Sequence, residues 1–358
     1  MIKIKYLPAL ILCTCLPFST TCITYAETLD SSNTTVLSAD LDSQGITVHL
    51  TGNGIATRLH QPVLLELLHA NELPHITIKS VHLAEDSSET IADSQSPNET
   101  NLGNVLLILG SPVYKHKPHI LANAKKYKKI LCEKPVGLSM DEIRQIKDAI
   151  NQNKMLFTVN YALRFLPCIE EIKEFIKNNE VKRITITCNA DFNQTSPNKS
   201  WKNDYRLGGG ILYSILPHMI DLLNYLNFQE EPNNITFQST TQVPMNDIRL
   251  FSKTSSEVNT EININLCKNF HELTLKVETA DKSKTFDLIN SSVNKIDGTR
   301  YYNGTLSATS ETSPWRISFK HLLKNYFTNP HDPKFARIED AENVHKVLEA
   351  ILLQPKKC

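Results

Sequence analysis

Ile46-Thr47-Val48-His49-Leu50-Thr51-Gly52-Asn53-Gly54-Ile55-Ala56 is the stretch that decides the fold. Its first five residues alternate as a short strand. The run Gln61-Pro62-Val63-Leu64-Leu65-Glu66-Leu67-Leu68-His69 that follows is apolar at helical spacing, and Pro62 suits a first turn, where its missing N–H removes nothing. A second strand is predicted over Ile76–Leu83. Strand, glycine turn, helix, strand is a βαβ unit. Gly52 permits the tight turn, and Gly54 lets the backbone approach a pyrophosphate at the helix N-terminus, with Ile55 and Ala56 as the next contacts. The last position of the G-x-G-x-x-G pattern is Thr57, so the fingerprint is incomplete, and an ordinary βα loop can hold two glycines as well. The strand–helix context favours a dinucleotide.

Moving outward, residues 85–103 read as a polar loop, and buried strands follow at Val105–Leu109, Lys129–Cys132 and Met155–Asn160. Helices are predicted near Pro118–Tyr127 and over Met140–Asn151, the latter with Ser139 as N-cap. This alternation predicts a mostly parallel sheet. Glu85 or Asp86, at the end of the second strand, is placed either to bind adenosine ribose hydroxyls or to be a solvated loop charge. The pattern then changes. After a helix around Leu166–Lys177, strands dominate at Val181–Ala190, Ile235–Val243, Glu257–Leu266 and Leu273–Val277, interrupted by a helix from Ser214 to Leu226. A last amphipathic helix spans Glu339–Leu353. The expected fold class is therefore α/β: a Rossmann domain over 45–158, then an α+β domain with a mostly antiparallel open sheet over 159–335, and a C-terminal packing helix within 336–358.

Residues 1–44 read as a leader and linker. Lys3 and Lys5 precede an apolar run from Leu7 to Phe18, and Thr24-Tyr25-Ala26 ends a polar stretch, so this segment resembles a secretory signal. The compartment stays open between cytoplasmic and exported. The 358 residues carry 38 Lys+Arg against 38 Asp+Glu, a balance that argues against a nucleic-acid partner. The 8 cysteines form no C-x-x-C pair and no Cys/His cluster with zinc spacing, so no metal site is expected.

The ordered motifs beyond the glycine turn resemble the glucose–fructose oxidoreductase / inositol dehydrogenase / MocA family. Leu131-Cys132-Glu133-Lys134-Pro135 looks like its E-K-P signature, and Ser111-Pro112 with His116 like its T-P-x-x-x-H cofactor loop. Asn160-Tyr161 with Arg164-Phe165 and Pro167 resembles its N-Y-x-x-R-F-x-P crossover. Trp201, Tyr205-Arg206 and Gly208-Gly209-Gly210 precede His218 and Asp221, similar to its G-G-G-x-x-x-D-x-G-x-H-x-x-D helix. The resemblance implies an NAD- or NADP-dependent dehydrogenase acting on a small molecule such as a sugar or cyclitol, assembled as a dimer or tetramer. Lys134 and His218 would be catalytic. Asp221, Ser214, Arg164, Tyr161, Trp201 and Tyr205 would bind substrate. Gly52, Gly54, Ile55, Ala56, Glu85, Ser111, Pro112, His116, Glu133 and Lys134 would bind the cofactor.

The chemistry suits these residue types. Oxidising an alcohol needs a hydride acceptor and a base for the hydroxyl proton, and histidine titrates near neutral pH. A lysine ammonium beside it would stabilise developing alkoxide charge. Positions 214, 218 and 221 are spaced for one helix face. Two departures stand out. The family's aspartate four residues before the histidine is Ser214, which could equally be a helix N-cap, and the stretch between Leu83 and Val105 is short. Ser214 motivates a second reading, a dinucleotide-binding sensor without catalysis. The leader motivates a third, an exported carbohydrate-binding protein without cofactor.

Overall fold

A computed structural model describes residues 46–52, 54–74, 76–81, 83, 102–190, 200–230, 232–239, 247–266, 272–289 and 313–354. The leader, the linker and Glu85 with Asp86 lie outside the described residues.

The first sheet holds β1 (Ile46–Thr51), β2 (Ile76–Ser80), β3 (Leu102–Leu109), β4 (Tyr127–Cys132) and β5 (Leu156–Val159) in the order β2-β1-β3-β4-β5, all parallel. Its central strands are apolar on both faces because helices cover both. Leu106, Ile108 and Leu131 pack with Leu64 and Leu67 of α1 (Gln61–His69), while Leu107, Leu109, Ile130 and Cys132 pack with Ile120 of α2 (His116–Asn123) and Ile143 and Ile146 of α3 (Met140–Asn153). Ser139 caps α3 as expected, accepting from the Glu142 N–H at 3.2 Å.

The second sheet comprises β6 (Arg183–Ala190), β7 (Thr236–Gln238), β8 (Asp247–Lys253), β9 (Asn259–Leu266), β10 (Glu272–Glu278) and β11 (Ser283–Asp287), ordered β11-β10-β6-β9-β8-β7. All its pairings are antiparallel except β6 with β9. Its apolar face, including Ile184, Ile186, Ile262, Ile264 and Leu275, packs with Ile169 and Ile172 of α4 (Ile169–Lys177) and with Met219 and Leu223 of α6 (Leu216–Tyr225), which follows the short α5 (Ile211–Ser214). The same core takes in Val344 and Leu348 of the last helix, so it runs unbroken from one sheet to the other.

The two final helices tie the halves together. Helix α7 (Pro314–Thr328) returns to the first sheet, where Phe319, Leu322 and Leu323 complete the core over β1 and β3. Arg316 and Lys320 also donate to Glu66 of α1 at 2.9 and 2.6 Å. Helix α8 (Ile338–Leu353) begins beside β5, where the Val159 N–H donates to Ala336 O at 2.9 Å.

The structure departs from the sequence expectations in several elements. The helix from Ser214 to Leu226 breaks at Ile215, and Leu216–Pro217 opens α6 instead. Ser214 is therefore the last residue of α5 and not an N-cap, and positions 214, 218 and 221 do not share one helix. Helix α2 starts at His116 and stops at Asn123, leaving Tyr127 to open β4. Strands β8 and β11 and helix α7 were not anticipated. In β8 only Ile248, Leu250 and Ser252 turn inward, and the charged Arg249 and Lys253 between them mask the alternation.

Candidate active site

Strand β1 leads through α1 to β2 on one side, while β3 lies on its other side, so the chain changes direction between the carboxyl ends of β1 and β3. Such switch points form ligand crevices in open α/β sheets. Gly52 sits there with φ of 101°, and a Cβ on it would lie 2.4 Å from Gly110 O and 2.8 Å from Ser111 N. Only glycine lets the two strand ends approach so closely. Ile55 Cγ2 and the Ala56 Cβ pack over Gly110 from the start of the helix, and the Gly54 carbonyl accepts from the Arg58 backbone N–H and Nε, each at 3.3 Å.

The Glu133–Gly137 turn emerges beside this crevice, because the Glu133 N–H donates to Leu109 O at 2.9 Å at the end of β3. Three histidines and Asn160 hold the turn. His60 Nε2 and Asn160 Nδ2 each lie 2.7 Å from Glu133 Oε1. Burial raises this carboxyl, yet hydrogen bonds from His60 and Asn160 and the charge of Lys134 outweigh it and leave Glu133 below its ordinary value. His116 lies 2.8 Å from Ser111 O and 2.9 Å from Pro135 O, and His345 of α8 lies 2.8 Å from both Ala341 O and Gly137 O. Burial holds both imidazoles below their ordinary value. His116 thus braces the Ser111-Pro112 turn against the Lys134 turn, and both its ring nitrogens are occupied by backbone. The Ser111 hydroxyl is 3.2 Å from His119 Nδ1.

Lys134 crosses to the second half, where its ammonium donates to Ser214 O. Burial lowers its pKa to about 8, with Glu133 opposing and the Lys202 ammonium reinforcing that shift. Burial first, and then the charge of Lys134, push His218 well below the ordinary imidazole value. His218 is therefore neutral, and its Nδ1 is buried with no hydrogen-bond partner. Trp315 of α7 packs against the imidazole at 4.7 Å between ring centroids, and Tyr161 meets it edge-on at 6.2 Å. The Tyr161 hydroxyl is likewise buried without a partner.

Lys134, His218, Ser214 and Tyr161 thus gather at one place between the two sheets. Arg164 and Asp221 are engaged with each other: Arg164 donates to Asp221 at 2.9 Å through Nε and 2.5 Å through Nη2, and Nη2 also donates to Asp340 Oδ1 of α8 at 2.8 Å. The Ser214 hydroxyl donates to Gly210 O at 2.6 Å. Trp201 and Tyr205 lie on two short 3-10 turns, Ser200–Asn203 and Tyr205–Leu207, and Tyr205 is 39 % exposed. Sequence reasoning missed His60, His345, Trp315 and Lys202. Each lies in a segment where it reads as an ordinary helix or turn residue, and only tertiary packing brings His60 and His345 to the Lys134 turn and Trp315 to His218.

Residues 46–161 match the oxidoreductase family with an NAD-binding Rossmann fold, and residues 169–271 match the GFO/IDH/MocA C-terminal domain. The chain belongs to the GFO/IDH/MocA oxidoreductase family. It is 27% identical over 187 residues to glucose-6-phosphate 3-dehydrogenase of Bacillus subtilis (strain 168), a match covering 50% of this chain and 53% of that protein. The chain thus spans about half the length of this relative. Oxidoreductase P35 of Formosa agariphila is 24% identical over 255 residues, covering 67% of this chain and 76% of that one. Among solved structures, levoglucosan dehydrogenase in complex with NADH and levoglucosan has a TM-score of 0.61 at 14% identity, covering 86% of this chain and 96% of that one. A myo-inositol dehydrogenase from Corynebacterium glutamicum ATCC 13032 has a TM-score of 0.59 at 16% identity, covering 87% and 100%. The first domain of the chain is thus the NAD-binding Rossmann fold of an oxidoreductase family. The glycine contact at the switch point fits such a dinucleotide, since the backbone there carries no side chain that would fill the crevice.

Proposed function

We propose that the protein transfers hydride between NAD(P) and a hydroxyl or carbonyl carbon of a sugar, cyclitol or similar small molecule, with Lys134 and His218 as its catalytic pair. The observation that supports this most is the buried Lys134 ammonium acting electrostatically on a neutral His218 whose Nδ1 is buried without a hydrogen-bond partner. When bound, the nicotinamide supplies the two-electron acceptor or donor. The His218 imidazole takes the hydroxyl proton in oxidation and returns it in reduction. Lys134 holds the substrate oxygen and stabilises negative charge on it. Trp315 and Tyr161 pack against the imidazole, and Arg164 is paired with Asp221 on the same helix as His218.

NAD(P)H binding measured by calorimetry, followed by turnover on a panel of polyols and sugar acids, tests this reading. Lys134→Ala and His218→Ala are expected to lower kcat/KM by about 100-fold or more. Rates unchanged in either variant would remove that residue from the mechanism.

The sensor reading has one observation in its favour: Ser214 turns its hydroxyl onto Gly210 O and brings no carboxylate to His218. Activity that appears only in Ser214→Asp would favour it. We also propose that the polar face of the second sheet, bearing Thr187, Asn189, Asn263 and Asn265, pairs with a second copy; a monomer by native mass spectrometry would oppose this.

A further inference from the structure

The helix break at Ile215 takes one main-chain oxygen out of the helical pattern. In an uninterrupted helix the His218 N–H would close onto Ser214 O, four residues back. It donates instead to Ile215 O at 3.0 Å, and Ser214 O receives the Lys134 ammonium. The sequence around the break accounts for this. Pro217 has no N–H to give Tyr213 O, and its ring would crowd that carbonyl in a continuous helix, whereas it suits the first turn of α6. Ile215 carries the change of direction, with φ at −117°.

Helix α5 is itself pinned to the first half. The Tyr213 hydroxyl donates to Leu138 O at 3.2 Å, and a Cβ on Gly208, whose φ is 81°, would collide with Val113 and Leu138. The Ser214 N–H and hydroxyl both turn back to Gly210 O, at 3.0 and 2.6 Å. The side chain is thus committed within its own turn, and it is the carbonyl that meets Lys134.

A buried ammonium keeps its charge only where hydrogen bonds or opposite charges replace its lost solvation. The resemblance places a carboxylate at position 214, where this chain has serine. Glu133 is engaged by His60 and Asn160, and Asp221 by Arg164. His218 and Tyr161 are neutral, and the charge of Lys202 acts on Lys134 in the repulsive sense. An amide oxygen can hold the ammonium without adding a negative charge, in keeping with the value of about 8 for Lys134.

We propose that the Ser214 main-chain carbonyl replaces the missing carboxylate as the seat of the Lys134 ammonium, and that Pro217 is the positioning residue that keeps this oxygen out of the helix. This rests on the reading of Lys134 as the group that holds the substrate oxygen. A serine at 214 then leaves the lysine seated, and the missing carboxylate does not by itself disable the site.

Ser214-Ile215 is the only Ser-Ile pair in the 358 residues. Protein labelled with 13C at serine carbonyls and 15N on isoleucine therefore gives a single correlation for the bond between them. In the parent that carbonyl resonance is expected to titrate with a midpoint of about 8, following Lys134, and to stay flat in Lys134→Met. In Pro217→Ala the His218 N–H takes the oxygen, the resonance loses its titration, and Lys134 gives up its proton more readily. For any substrate that turns over, the alkaline limb of kcat/KM should then fall by about one pH unit. Ser214→Asp added to Pro217→Ala supplies a carboxylate and should move that limb back up. A parent carbonyl that does not titrate at about 8, a titration that survives Lys134→Met, or a limb unmoved by Pro217→Ala would overturn the proposal. Should Pro217→Ala fail to fold, the parent and Lys134→Met still decide. A carbonyl that follows Lys134 in a protein without turnover would keep the contact and sink hydride transfer. Turnover that needs Lys134, with a carbonyl that ignores its ionisation, would do the reverse.

Discussion

Lys134 and His218 each sit away from their usual protonation range, and the two displacements set a pH window. Burial brings Lys134 down to about 8, while burial and the charge of Lys134 push His218 well below 6.5. The state that the proposed pair requires, ammonium beside neutral imidazole, therefore prevails across the neutral range. The oxidation rate is expected to lose its alkaline side near pH 8, as Lys134 gives up its proton, and to keep its acid side below pH 6.5. A kcat/KM profile with an acid limb above 6.5 would contradict the low proton affinity of His218. Glu230 titrates with the opposite sense. It is buried under the second sheet, its Oε1 accepts from Thr260 at 3.1 Å, and Oε2 has no partner. Burial raises it from 4.5 to about 7. The folded protein holds this proton more tightly than the unfolded chain does. The stability it contributes is thus whole below pH 4.5 and is lost as pH rises through about 7. Glu230→Gln removes the buried charge at alkaline pH, so its Tm at pH 8 should exceed that of the parent by about 5 °C, with little difference at pH 4.5. Calorimetric scans at the two pH values check this.

Arg164 shows how elements are joined. Its guanidinium lies between the crossover after β5, helix α6 through Asp221 and helix α8 through Asp340. Arg164→Ala would strand the Asp221 carboxylate in a buried position, and a loss of about 3–5 kcal/mol in urea unfolding is expected. The double variant Arg164→Met, Asp221→Leu should recover most of that loss, because it removes the unpaired charge as well. These contacts also mark the limit of what the sequence discloses. The glycine turn, the parallel strands and the cap at Ser139 are local matters of spacing and turn chemistry, so they were legible. The break at Ile215 was not, since Ser214, Leu216 and Pro217 all tolerate a helix start, and only the hold of Lys134 on Ser214 O shows where one helix stops. Strand β11 pairs locally with β10 but buries only Phe286, which leaves no alternation to read, and helix α7 packs on β1, β3 and α1, which lie far away in the chain. Lys134 and His218 were read from their motifs. Trp315 and Lys202 needed packing to be seen.

At the scale of the whole molecule, the two halves share a hydrophobic core. Lys134 comes from the first sheet, His218 from α6, Trp315 from α7, and His345 of α8 steadies the Gly137 end of the lysine turn. No helix among the described residues is long and apolar enough to cross a membrane. The return of α7 has a consequence for how the chain is made. Phe319, Leu322 and Leu323, which seal one face of the first sheet, leave the ribosome long after β1 to β5 have been translated. The nucleotide-binding half is therefore contiguous in space and split in synthesis. A fragment covering 46–161 would leave that apolar face covered by α1 alone, and each large side chain missing from it forfeits about 2–3 kcal/mol of burial. Such a fragment is expected to aggregate and to bind no NADH, while the nascent chain must keep its first sheet unsealed, within reach of chaperones, until its closing helix arrives.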